Sequence, residues 1–258
     1  KGQPNQPHTP TTTFVAATIT EPNMLTEPLY QALQSLGLRG MARQYSASEQ
    51  SATQREFNFN ERMALLIDAE QSERANYRYA QRIRWAKLSQ TASIEDLDSK
   101  IPRGLDKKRI AQLTTLQFIK DKRNILITGP TGIGKSYLAC AIGQHACREN
   151  ISVRYLRLPR LIEDIARAEA IKKKSYLFKH LAKFNLLILD DFGLTPLADE
   201  IQRDLLEIID DRFDKSATLI TSQLPIDQWH GYIGDPTLAD AILDRLVHNA
   251  YRIELNGQ

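Results

Sequence analysis

The eight residues GPTGIGKS, Gly129 to Ser136, constrain the fold more than any other stretch of this chain. They fit the pattern G-x-x-x-x-G-K-[ST] and sit between the apolar run NILIT, Asn124 to Thr128, and a segment with the pattern of a helix. Strand, glycine-rich turn and helix in that order make a phosphate cradle. The glycines let backbone N–H groups wrap the anion, the lysine reaches the β- and γ-phosphates, and the serine hydroxyl ligates Mg2+. The N-terminus of the next helix points its unpaired N–H groups at the same anion. Gly129, Pro130, Thr131, Gly132, Ile133, Gly134, Lys135, Ser136 and Tyr137 are therefore expected to hold ATP, with Mg2+ on Ser136.

The rest of the C-terminal half agrees with that start. The runs SVRYL (Ser152 to Leu156), LLIL (Leu186 to Leu189), ATLIT (Ala217 to Thr221) and YRIEL (Tyr251 to Leu255) read as further strands between helical stretches. Continuous apolar strands alternating with helices imply a parallel sheet covered on both faces, an α/β fold. The expected domains are a Pro-, Thr- and Gln-rich tail at 1–25, a small all-α domain at 26–100 and the nucleotide-binding domain at 101–258. The tail's run TTTFVAATIT has some strand character, and SKIPRGLDKK, Ser99 to Lys108, reads as a linker. In the helical part, TEPLYQALQSLGLRGMARQY begins at Thr26 and is interrupted at Gly37 and Gly40. Asn58 and Glu61 have capping-box spacing before about 30 residues free of Gly and Pro.

Two further motifs lie at strand ends. LLILDDFG puts Asp190 and Asp191 where an apolar strand meets the carboxyl edge of the sheet, the edge at which ligands bind. Asp190 is expected to complete the Mg2+ site, and Asp191 to orient and deprotonate the attacking water; a strand-end cap is the other use of Asp191. ATLITSQLP ends in polar residues, of which Gln223 and then Ser222 are candidate sensors of the γ-phosphate, or turn residues before Pro225.

Hydrophobic content of 42% and charged content of 25% are ordinary for a soluble globular chain. The longest apolar runs are too short to span a bilayer. No basic segment followed by a continuous apolar core marks a secretory signal, and Cys140 and Cys147 fit no metal pattern. A reduced cytoplasm is the expected compartment. The net charge of +3 conceals an uneven distribution. Residues 148–183 carry 10 Lys/Arg against 4 Asp/Glu, whereas 184–258 carry 5 against 14. Such blocks imply a protein that presents one face to a polyanion. Arg74, Arg78 and Arg82, four apart on one predicted helix, form either a solvated surface or a stripe that contacts phosphates.

The phosphate-loop motif, LLILDDFG, TSQLP with QWH, and DPTLADAILDRLVHNAYRIELNG together resemble the IstB-like ATP-binding proteins. These are AAA+ helper ATPases of transposons that encode an IstA transposase, and they are related to the DnaC helicase loaders and DnaA initiators. The resemblance covers residues 27 to 258, including GLRGMARQY and FNERMALLIDAE. Many AAA+ proteins carry Glu where this chain has Asp191, and the family continues beyond Gly257-Gln258 to a Ser-x-x-Arg segment. The resemblance implies a five-stranded parallel AAA+ sheet, ATP with Mg2+, a head-to-tail homo-oligomer on duplex DNA, an IstA-type transposase as partner, and a place at the bacterial nucleoid. It also implies DNA contact by the helical segment before Asp190, with Arg167, Lys172, Lys173, Lys174, Lys179 and Lys183; a solvated loop is the alternative. Arg245 breaks the apolar pattern of ILDRLV and alone reads as a solvated helix face. By resemblance it is an arginine aimed at the neighbouring subunit's nucleotide, with Arg212 the second candidate. A helicase loader would share nearly all these motifs. A P-loop small-molecule kinase would need an Arg-rich lid and would ignore DNA.

Overall fold

The computed structural model describes residues 26–97, 104–105 and 107–256. The tail at 1–25, most of the Ser99 to Lys108 linker and Gly257-Gln258 lie outside the described residues. The chain separates into two compact units, 1–76 and 77–258, and the division falls within one long helix.

The first unit is helical: α1 (Thr26–Ser35), α2 (Arg39–Gln50), α3 (Ala52–Arg55) and the first part of α4 (Phe59–Ala86). Gly37, at φ +74°, lies between α1 and α2, but Gly40 lies inside α2 rather than interrupting it. Its role is close approach. A Cβ there would stand 2.4 Å from the Ala69 carbonyl oxygen and 2.6 Å from the Glu70 Cα. That contact lets Glu70 Oε2 accept from the Gly40 N–H at 2.8 Å and the Met41 N–H at 3.2 Å, two of the orphan donors of a helix start. Arg74 donates to Glu70 Oε1 at 2.8 Å and, with those N–H groups, holds the carboxyl below the usual glutamate range. The capping box forms as read: Asn58 N–H donates to Glu61 Oε2 and Glu61 N–H to Asn58 Oδ1.

The second unit carries the sheet. Its elements are the end of α4, then α5 (Lys107–Thr114), α6 (Gln117–Lys120), β1 (Ile125–Thr128), α7 (Lys135–Arg148), β2 (Val153–Arg157), α8 (Leu158–Ala170) and α9 (Lys174–Ala182). β3 (Leu186–Phe192), α10 (Asp199–Arg212), β4 (Ala217–Ser222), α11 (Trp229–Ile233), α12 (Pro236–Val247) and β5 (Tyr251–Glu254) follow. The five strands are all parallel, in the order β2-β3-β4-β1-β5, as the alternating apolar runs predict. Successive strand residues serve opposite cores. Ile125, Ile127, Leu186, Ile188 and Leu219 pack under α7, and Leu126, Leu187, Leu189 and Ile220 pack under α8 to α12. Each such fully buried aliphatic side chain contributes about 1.5–3 kcal/mol. With β1, β3 and β4 buried, the polar residues at their carboxyl ends converge on one edge.

Candidate active site

Gly129 leaves β1 at φ +148°, and Gly132 and Gly134 also have positive φ. A Cβ on Gly129 would stand 2.3 Å from the Leu255 carbonyl oxygen, so only glycine admits the turn beside the end of β5. The loop enters α7 at Lys135, whose ammonium donates to the Gly129 and Pro130 carbonyls at 2.7 and 2.8 Å. Burial pushes Lys135 below the usual lysine range, and the charges of Asp190 and Asp191 pull it back. A cation held against its own loop by two carbonyls and two nearby carboxylates fits a polyphosphate. Ile133 packs on the core, and the Tyr137 hydroxyl accepts from the Ser93 N–H at 3.5 Å, so these two flank the cradle.

Asp190 is 2% exposed and surrounded by donors. Its Oδ1 accepts from Ser136 Oγ at 2.9 Å and from the Thr221 hydroxyl, and its Oδ2 accepts from the Tyr155 hydroxyl at 2.5 Å. Burial and that bond push the Tyr155 phenol far up, so it stays a donor. Ser136 and Asp190 thus offer two adjoining oxygens. Among the described residues no group of three or more His, Cys, Asp or Glu side chains could hold an ion by itself. The paired oxygens of Ser136 and Asp190 suit Mg2+, which takes one or two protein oxygens and completes its shell from phosphates and water.

Asp191 lies in an irregularity of β3 between Leu189 and Phe192, at φ +62°. Aspartate tolerates that left-handed conformation. The bulge re-aims its side chain, and Oδ2 accepts from Arg157 Nε at 2.6 Å. Thr221 ties the two acids together, donating to Asp190 and accepting from the Asp191 N–H at 3.2 Å. Neither Arg157 nor Tyr155 stood out in the sequence, because strand register alone brings them here. The pairings Arg157 with Asp190 and Ile220 with Leu189 set that register.

Of the two γ-phosphate candidates, Gln223 is at the cradle: its Oε1 accepts from Thr131 Oγ1 at 2.8 Å. Ser222 is not. It is fully buried, and its hydroxyl donates to the Phe192 carbonyl and accepts from the Leu224 N–H, so it shapes the turn before Pro225.

The arginine candidates also separate. Arg212 is 1% exposed, and its guanidinium donates to Thr218 Oγ1 and to the carbonyls of Leu181, Phe184 and Ala217. It ties α9, α10 and β4 together inside its own subunit, which corrects the expectation that it faces a neighbour. Arg245 pairs with Asp210 at 2.6 Å and lies over the Phe213 ring, 5.9 Å from its centroid. Its main-chain carbonyl accepts from the Asn124 side chain, at the amino end of β1. About 13 Å of strand separates that end from the phosphate loop.

The basic candidates divide in the same way. Lys172, Lys173, Lys179 and Lys183 are exposed. Lys174 instead meets Glu169 at 3.0 Å and the buried Asp204 at 3.2 Å, joining the start of α9 to α10. Arg167 pairs with Glu163 and Asp164 along α8. On α4, Arg74 is held by Glu70 and Arg78 is exposed. Arg82 donates to the Cys147 carbonyl at 2.8 Å, so it packs against α7 rather than lining an open stripe.

A parallel sheet in the order β2-β3-β4-β1-β5, a phosphate loop after β1 and an acid pair on β3 define an AAA+ ATPase. The chain belongs to the IstB-like ATP binding protein family, whose model matches residues 31–258. It is 45% identical over 235 residues to an insertion sequence ATP-binding protein of Sinorhizobium fredii, covering 91% of this chain and 96% of that one. The fold matches DnaI with a TM-score of 0.55 at 23% identity, over 64% of this chain and 90% of that one. It also matches the replication initiator DnaA bound to AMPPCP and single-stranded DNA, with a TM-score of 0.52 at 16% identity, over 67% and 52% of the two chains. Among the described residues no helix is long and apolar enough to cross a membrane.

Proposed function

We propose that this protein assembles head to tail on duplex DNA in an ATP-dependent manner and there recruits and activates an IstA-type transposase. Its workplace is the nucleoid of the bacterial cytoplasm. ATP lies on the loop from Gly129 to Tyr137, with Lys135 against the β- and γ-phosphates. Ser136 and Asp190 hold Mg2+, which supplies charge neutralisation at those phosphates. Asp191 takes a proton from the attacking water once Arg157 releases it, and Gln223 reports the γ-phosphate through its bond to Thr131. Arg245 serves the next subunit's nucleotide. DNA phosphates meet Lys172, Lys173, Lys179 and Lys183, with Arg78 on α4 as a further contact.

The observation that carries this reading is the exposed lysine set of the α8–α9 region in a chain with an ATP site. Lysines that meet no acid among the described residues suit a polyanion, and phosphate contacts of this kind are independent of sequence. The insertion-sequence relatives favour transposition over helicase loading as the setting. The test is ATP hydrolysis with and without duplex DNA. Turnover several-fold higher with DNA is expected. Turnover indifferent to DNA, together with failure to retain DNA in ATP, overturns the proposal.

A further inference from the structure

Backbone contacts need cations but no rings, yet the exposed face of α9 carries both. Tyr176 and His180 lie exposed on it, the half-buried Phe184 follows four residues on, just past the helix end, and Lys179 and Lys183 lie between them. Tyr176 is 71% exposed. Its ring is within 6° of parallel to that of His180, with centroids 6.4 Å apart, and the His180 ring meets Phe184 edge-on at 5.2 Å. A separation of 6.4 Å is near the long end of the range for offset rings, about 4.5–7 Å, so much of each face stays open. The opposite side of the helix is anchored: Phe178 and Leu181 are buried in the core beneath the sheet. The rings therefore stand on a fixed platform. Beside them runs an open groove of about 460 Å³, also lined by Asp211 and Lys215.

A lone exposed aromatic is unremarkable on a protein surface. Here two exposed rings, Tyr176 and His180, three lysines and a groove of ligand size occur together. Planar faces next to ammonium groups match a nucleotide, whose base stacks while its phosphates meet the cations. Asp211 adds an acceptor suited to the exocyclic amine of adenine or cytosine.

We infer that the Tyr176 face of α9 is a base-stacking site, which takes one unpaired nucleobase from DNA held by the neighbouring lysines. This rests on the DNA-binding reading above and extends it from backbone contact to a base. It gives the ATPase a means of preferring DNA that is distorted or locally unpaired over regular duplex.

Fluorescence anisotropy with ATP would compare a fully paired 30-base-pair duplex with the same duplex carrying one bulged 2-aminopurine. Stacking on an aromatic side chain is worth about 5- to 150-fold in affinity per base. The wild-type protein should bind the bulged duplex at least about 5-fold more tightly and quench the 2-aminopurine. Tyr176→Ala should erase the preference and the quenching yet keep its affinity for paired duplex, and Tyr176→Phe should keep all three. Replacing Lys179 and Lys183 by Ala should weaken both duplexes equally. Binding of paired duplex without preference for the bulge overturns the base site alone, and points to a protein partner for this face. A preference that survives Tyr176→Leu also overturns it, since an apolar wedge would then suffice. Failure to bind either duplex overturns the DNA-binding reading itself.

Discussion

Arg157 Nε stands 2.6 Å from Asp191 Oδ2, and this pair draws the second acid of LLILDDFG toward β2, away from the strand that feeds the phosphate loop. The arginine side chain is 56% exposed, so the bond exchanges readily with water and contributes no more than about 0.2–1 kcal/mol. It can hold a carboxylate and still release it. Arg157→Ala should raise ATP turnover in the absence of DNA and shrink the stimulation by DNA, both read from steady-state hydrolysis. Equal rates for variant and wild type under both conditions would show that the pair does not restrain Asp191.

Lys135→Ala should abolish ATP binding, because it removes the charge that meets the β- and γ-phosphates. Asp191→Asn should bind ATP normally and hydrolyse it slowly, prolonging any ATP-dependent DNA complex. Equilibrium binding of a fluorescent ATP analogue separates the two variants. Wild-type affinity in Lys135→Ala would remove the phosphate-loop assignment, and unchanged turnover in Asp191→Asn would move the base elsewhere.

The lysine run from 172 to 174 should divide by function. Replacing Lys172 and Lys173 by Ala should weaken duplex binding and flatten its salt dependence by up to about 0.9 log–log units per lost contact. Lys174→Ala should leave the salt slope alone and lower the melting temperature, since it deprives the buried Asp204 of its cation. A Lys174→Ala salt slope matching that of the double variant would return this residue to the DNA surface.

Both cysteines are fully buried, and burial pushes the Cys147 thiol up to about 11 despite the nearby Arg82. The unfolded chain loses that proton near pH 9, the folded chain near 11, so this group makes stability fall as pH rises between them. Neither thiol should react with a disulfide reagent at pH 8 until the protein unfolds. Rapid labelling of the native protein would show the α7 region opening locally.

The sheet was legible because its strands are short continuous apolar runs, and the cradle because its glycines, lysine and serine are contiguous. What stayed hidden depends on register and on what lies above a helix. Thr221 and Tyr155 reach Asp190 only once β2, β3 and β4 align. Arg212 and Arg245 look alike in sequence, yet Arg212 is covered on all sides and Arg245 keeps 29% of its side chain exposed. Arg82 shares the four-residue spacing of Arg74 and Arg78 but rotates onto α7, since two steps of four drift around a helix of 3.6 residues per turn. Spacing names a face and leaves open what covers it.

Arg245 offers the most direct test of the assembly. Its side chain stands at the amino end of the sheet, beside Asp210 and Phe213, far from its own subunit's phosphate loop. A role in hydrolysis is therefore open to it only at a neighbour's nucleotide, where an arginine that meets the transferring phosphoryl oxygens is worth about 10³–10⁵ in rate. Arg245→Ala should bind ATP normally, hydrolyse it poorly and assemble weakly on DNA. The single variant alone would not exclude a structural cause, because the bond to Asp210 is lost as well. Asp210→Asn breaks the same pair while sparing the arginine, and should retain turnover. Mixing completes the test: Arg245→Ala with Lys135→Ala should recover part of the activity, since a subunit with a dead loop still lends its intact arginine to a working site. If the two variants demonstrably co-assemble and no turnover returns, Arg245 is a surface residue held by Asp210, and the second cation of the site must come from elsewhere.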